Sequence, residues 1–150
     1  MKLRPYTLAA VLAIAACPPP ASARHPVSGL EVVPLTVASA NGRHAFRVEV
    51  ARSDAEQAKG LMFRTEMAQD EGMLFPYDQP RVLSFWMRNT VIPLDLVFID
   101  AQHRIINIAE NATPYSEASI VSAAPGVAVL ELNGGRTRAL GIVAGNKVEW

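Results

Sequence analysis

Residues 82–109 read VLSFWMRNTVIPLDLVFIDAQHRIINIA, and how this stretch divides into strands decides the fold class. Leu83, Phe85 and Met87 alternate with Val82, Ser84, Trp86 and Arg88, the period of two that a strand imposes, so a strand is predicted over 82–87. Pro93 cannot donate to a ladder and resets the chain. A second strand, almost wholly apolar, follows over 94–99, and the polar turn Asp100-Ala101-Gln102-His103 leads into a third over 104–109. Arg88, Asn89 and Thr90 then fall at the break between strands, and Asp95 falls inside the second one.

The same alternation extends in both directions. Leu35 and Val37, then Phe46, Val48 and Val50, flank Asn41-Gly42, the short-range signature of a two-residue hairpin turn. Pro34 places the first of these strands at an edge, or starts it late. Ser53-Asp54-Ala55-Glu56 is a capping box that predicts a short helix over 54–59, with Gly60 placed to end it in the left-handed conformation. The run 61–70 is a mixed connector, and Gly72-Met73-Leu74-Phe75 before Pro76 is a brief buried extended segment. Residues 111–126 form a long polar loop; a strand over 127–132, a helical turn over 136–140 and a terminal strand over 147–150 complete the chain. The fold class implied is mostly β (α+β): a compact, barrel-like or strongly curved, mainly antiparallel sheet with one or two short helices.

At 150 residues there is room for one domain, and the N-terminus is expected to lie outside it. Lys2 and Arg4 precede an apolar run over 7–16, and Ala21-Ser22-Ala23 resembles a cleavage site, so residues 1–23 are expected to be a signal peptide, 24–30 a linker and 31–150 a single β-rich domain. The run Ile14-Ala15-Ala16-Cys17 also resembles a lipobox, which makes Cys17 a lipidation candidate. The expected location is therefore exported, either periplasmic or lipid-anchored in the cell envelope, with membrane contact only through such an anchor. Removal of 1–23 leaves twelve basic against fourteen acidic residues, a net charge of −2, so no nucleic-acid partner is expected. Cys17 is the sole cysteine, which excludes a disulfide, a thiol nucleophile and a cysteine metal site from the domain.

Common catalytic signatures are missing: there is no G-x-S-x-G, no H-E-x-x-H and no phosphate-binding glycine loop. His25, His44 and His103 fall in a linker, a strand and a turn and form no ligand set. Met62, Met67, Met73 and Met87 raise the thought of Cu(I), but their spacings fit no compact motif and core filling is the ordinary use of methionine. No metal and no cofactor are expected.

The informative residues are charges inside apolar strands. Asp95 shares a face with Val97 and Ile99, and Glu131 shares one with Val127 and Val129, so both carboxyls should be covered. A buried carboxyl requires a cation, amide donors or a raised pKa, and Arg64 and Arg88 are the candidate partners, since an arginine can grip a carboxylate with two parallel hydrogen bonds. One arrangement is a polar cluster of Arg64, Arg88, Asn89, Thr90, Asp95 and Glu131 that orients a ligand against Phe85 and Trp86. The other makes Asp95 and Glu131 separate internal struts.

Gly60-Leu61-Met62-Phe63-Arg64, Gly72-Met73-Leu74-Phe75, Phe85-Trp86-Met87-Arg88-Asn89-Thr90, Ile92-Pro93-Leu94-Asp95 and Val129-Leu130-Glu131-Leu132 together resemble the domain-of-unknown-function family numbered 192, over roughly 48–148. The resemblance implies a compact β-rich domain, often exported in bacteria, with no established activity, cofactor or catalytic residue to carry over. His103, where glycine is common in such a turn, is a small departure. The function is thus unknown from sequence. The expected role is a binding or interaction module for a small molecule or envelope protein rather than an enzyme. The alternative is a hydrolase or lyase with Asp95 and Glu131 as acid/base pair on an anionic substrate held by Arg64 or Arg88.

Overall fold

A computed structural model describes residues 23–150; the expected signal peptide, apart from Ala23, and Cys17 lie outside the described residues. The elements in chain order are β1 (Ala23–Arg24), β2 (Glu31–Ser39), β3 (Gly42–Val50), α1 (Asp54–Lys59), β4 (Glu71–Arg81), β5 (Ser84–Phe85), β6 (Leu94–Ile99), β7 (Ile105–Ala112), β8 (Ile120–Val121), β9 (Gly126–Asn133), α2 (Arg136–Leu140) and β10 (Lys147–Glu149). The main sheet runs β1-β2-β3-β4-β9-β6-β7, with β10 also on β2, and β5 pairs with β8 in a small second sheet. Among the described residues every ladder is antiparallel except β3 with β4. The fold is mostly β, as the strand pattern predicts, and it is not a closed barrel: β7 and β10 approach at a single bridge, Arg104 with Lys147.

Strand β6 explains why the sheet is organised as it is. All six of its residues are buried, so it must be covered on both faces. Val97 and Ile99 join one core with Leu35, Phe46, Leu74, Leu130 and Val148. Leu94, Leu96 and Phe98 join a second core with Phe75, Leu83, Met87 and Val129. At about 2 kcal/mol for each buried large apolar side chain, five of them contribute roughly 10 kcal/mol, comparable to the net stability of a whole domain. The methionines take part in this packing: Met73 and Met87 are fully buried in the second core, with Met67 packed against it.

Local chemistry fixes the rest. The capping box is formed in full, with Ser53 Oγ accepting from the Glu56 amide and Glu56 accepting from the Ser53 amide, and α1 ends at Lys59. Gly60 has the positive φ expected, 45°, but its ψ of −134° lies outside the left-handed helical region, and a Cβ there would press on the Phe75 ring at 3.3 Å. The hairpin turn sits one residue earlier than predicted: Ser39 pairs with Gly42, which leaves Ala40-Asn41 as the loop. Pro34 lies in the gap between the two short partners of β2, since β1 covers 31–32 and β10 covers 36–38. The stretch 24–30 is not a free linker, because Ala23 and Arg24 pair with Val32 and Glu31 and His25 closes a turn with Leu30 and Gly29.

Two predicted segments differ more. The strand over 82–87 shrinks to Ser84–Phe85, because the Leu83 amide donates to Ser122 Oγ and the Met87 amide to the Ser116 carbonyl. The side chains still alternate in and out, but loop atoms replace the ladder. The loop expected over 111–126 is shorter at both ends and interrupted: β7 runs on to Ala112, β9 begins at Gly126, and Ile120–Val121 between them supplies the partner of β5.

Candidate functional site

Asp95 faces neither arginine. Its carboxyl accepts hydrogen bonds from the amides of Asn111, Gly135 and Thr137 at 2.7, 2.8 and 2.8 Å and from the Thr137 hydroxyl at 2.6 Å. It is fully buried, and these four donors come from the end of β7 and from the turn into α2. Asp95 is a strut that fastens two chain segments to β6.

Arg64 is also occupied. It grips Glu49 of β3 with two hydrogen bonds of 2.7 and 3.1 Å, a geometry only a guanidinium supplies to a carboxylate. Ser28 Oγ donates to the same carboxylate, and His25 Nε2 stands 3.5 Å from it. Burial pushes the Glu49 carboxyl up, but the hydrogen bonds from Arg64 and Ser28 and the nearby charges outweigh it and hold the pKa below the usual glutamate value. This cluster borders a shallow groove of about 950 Å³ between 25–30 and the 62–68 connector, where Val27 and Phe63 are exposed.

Glu131 has the opposite environment. Along one face of the sheet Glu49 pairs with Met73, Met73 with Glu131, and Glu131 with Leu96, so the two glutamates share a row. Two strand spacings separate them, roughly 10 Å at about 4.8 Å each. No group among the described residues bonds to the Glu131 carboxyl, and desolvation alone pushes its pKa up to about 8. Asp95 pairs with Leu132, one residue on, and so points to the other face. The acid/base pair of Asp95 and Glu131 is therefore corrected: the sheet stands between the two carboxyls.

What remains of the sequence-predicted cluster converges on Glu131. A cleft of about 210 Å³ has Glu131 at its floor, Phe85 and Tyr77 as walls, and Trp86, Arg88 and Lys59 exposed around it, with Thr90 and Met62 also lining it. Phe85 is held edge-on between Phe75 and Phe98, with ring centroids 5.1 and 6.4 Å away. The Arg88 guanidinium lies 5.4 Å over the Trp86 ring and 3.6 Å from Glu117, on a half-exposed side chain. Asn89 does not line the cleft itself. Its left-handed backbone (φ 53°) turns the chain, and its carbonyl accepts from the Phe63 amide while the Thr90 carbonyl accepts from the Tyr115 amide. Phe63 (φ 64°) and Tyr115 (φ 62°) are left-handed as well, so three of the five non-glycine residues with positive φ among the described residues are linked by these two bonds, next to Met62 and Thr90 of the cleft lining.

Tyr77 and Lys59 were missed in sequence. Tyr77 had a usable signal, since it continues the Met73, Phe75 alternation on the face of β4 that carries Glu131. Burial raises the Tyr77 pKa against the opposing effect of Arg81, whose guanidinium lies 4.2 Å over its ring. Glu49 was legible by the same rule that found Asp95, being a charge between Val48 and Val50.

The family model described as Uncharacterized ACR, domain of unknown function 192, matches residues 36–150. The chain belongs to this family. Among solved structures it is similar to a protein of unknown function from Novosphingobium aromaticivorans DSM 12444, at 54% identity and a TM-score of 0.85, over 93% of this chain and all of that one. It is also similar to a putative transcription regulator from Sinorhizobium meliloti 1021, at 40% identity and a TM-score of 0.78, over 80% of this chain and 94% of that one. No curated protein matches the chain.

Two stability measurements check these assignments. Asp95→Asn turns an amide NH₂ toward donors that need an acceptor, so chemical denaturation should show a loss of about 3 kcal/mol. Glu131→Gln should do the reverse. A carboxyl whose folded pKa is about 8 against an unfolded 4.5 favours the folded state least when ionised, so its contribution falls as pH rises through that window. The Glu131→Gln variant should gain on the native protein by about 1.4 kcal/mol per pH unit between roughly pH 5 and 8 and no further above it.

Proposed function

We propose that this protein is a binding module for a small organic anion, held in the cleft above Glu131. The observation that carries this is a buried carboxyl, without a partner among the described residues, at the floor of a cleft whose exposed rim bears Arg88 and Lys59. With Glu131 protonated below pH 8, the cleft holds no competing negative charge, and two cations draw an anion to its mouth. Arg88 is half-exposed and stands 3.6 Å from Glu117, a distance at which a surface pair contributes little, so a ligand displaces Glu117 at small cost. Phe85 and Tyr77 supply the apolar walls that small-ligand sites use for shape. The balanced charge of the chain supports a small molecule over a nucleic acid.

An enzyme with an Asp95–Glu131 pair has no support in this arrangement, because Asp95 is consumed by four donors on the other face. The proposed place of action is the cell envelope, supported by Lys2, Arg4, the apolar run over 7–16 and Ala21-Ser22-Ala23. Among the described residues no helix is long and apolar enough to cross a membrane.

Ligand-observed NMR with propionate, lactate and succinate tests the binding. At least one should bind, and Arg88→Ala should weaken it at least tenfold while leaving the denaturation midpoint unchanged. Equal affinity in the variant would remove the cleft from consideration. Intact mass of the protein recovered from the producing bacterium should begin at Arg24 or at an acylated Cys17; a mass that includes Met1 would refute export.

A further inference from the structure

The floor of the cleft asks for more than an anion. A ligand that reaches Glu131 displaces any water there and must itself satisfy the carboxyl, since no protein group among the described residues does so. The groups around that carboxyl are few. Strand β4 presents Met73 and Tyr77, with Arg81 lying over the Tyr77 ring; β6 presents Leu96; α1 brings Lys59 and the turn after β5 brings Arg88, both at the exposed rim. The cleft therefore has cations at its mouth and, at its floor, an acidic group that becomes negative only on giving up its proton. The space, about 210 Å³, is roughly seven water volumes at about 30 Å³ each, which suits a molecule of few heavy atoms.

From this juxtaposition we infer that the cleft takes an amino-acid-sized zwitterion, its ammonium seated on the Glu131 carboxyl and its carboxylate at Arg88. The inference rests on the anion-binding assignment of the same cleft and adds the inner half of the ligand. An ammonium brings donors that the carboxyl lacks, and the two opposite charges of the ligand match the two ends of the cleft. The aromatic walls Phe85 and Tyr77 lie between, against the short carbon chain.

Such binding is coupled to a proton. In the free protein at pH 7 the Glu131 carboxyl is protonated about nine times in ten, given a pKa of about 8. Pairing with an ammonium requires the ionised form, so the carboxyl proton passes to the buffer as the complex forms. Affinity then rises about tenfold per pH unit below 8 and levels off above it.

The test uses glycine, β-alanine and γ-aminobutyrate, with propionate and propylamine as single-charge controls. Calorimetry in MES and in imidazole at pH 6.5, and in CHES and in borate at pH 9, counts the protons released, and NMR of the ¹³C-labelled Glu131 carboxyl carbon reports its ionisation directly. The expected result is that at least one amino acid binds tenfold or more tighter than either control. It should release close to one proton at pH 6.5 and almost none at pH 9, and it should move the Glu131 carbon to its ionised position at pH 7. Glu131→Gln should abolish the proton release and weaken binding at least tenfold, whereas Arg88→Ala should weaken binding and leave the proton count unchanged. Propionate binding as tightly as the amino acids without proton release would overturn the zwitterion while leaving the anion site standing. Binding by none of the five probes would overturn the zwitterion, and failure of lactate and succinate as well would overturn the anion site.

Discussion

The four hydrogen bonds into the Asp95 carboxyl are the constraint on which the rest of the structure depends. Strand β6 is buried on both faces, and its one polar side chain has to be answered from within the fold. The answer recruits the amide of Asn111 at the end of β7 and the amides of Gly135 and Thr137 at the entry to α2. Those segments close one end of the sheet. Strand β9 is laddered to both β4 and β6, and its register there decides that Glu131 lies opposite Met73 and Leu96 rather than one residue away on the other face.

Three buried or nearly buried carboxyls are thus treated in three ways. Asp95 receives four neutral donors, Glu49 receives a guanidinium and a hydroxyl, and Glu131 receives nothing from the described residues. The first two hold the fold together. The third destabilises it when ionised, since burial raises its pKa to about 8.

The strand pattern, the capping box and the positions of both helices were legible in the sequence because they depend on neighbouring residues. The burial of Asp95 and Glu131 was legible too, from a charge set between apolar neighbours in one strand. Their relation to each other was not. Alternation tells which residues of one strand share a face, but comparing faces between strands needs the register, which β9 acquires from partners far along the chain. The partners of Asp95 were hidden for a related reason, since three of its four donors are backbone amides, which nearly every residue carries. Residues 82–87 show the limit of alternation itself: Leu83, Phe85 and Met87 point inward as a strand would have them, yet only Ser84 and Phe85 sit in a ladder, and the Leu83 and Met87 amides are bound by Ser122 and Ser116.

Phe63, Asn89 and Tyr115 come from three separate loops, and two backbone hydrogen bonds join those loops through Asn89 and Thr90. Phe63 and Tyr115 are held in a conformation their side chains disfavour, and the 88–90 turn gives up bonds if either of their loops moves. The three loops are therefore one mechanical part, which carries Met62, Arg88 and Thr90 of the cleft lining. Divergence within such a protein meets a coupled frame: a change in one loop is tolerated only if the other two still fit it. Substitution of the exposed side chains of Trp86 and Arg88 is then tolerated more readily than insertion or deletion in the loops that carry them.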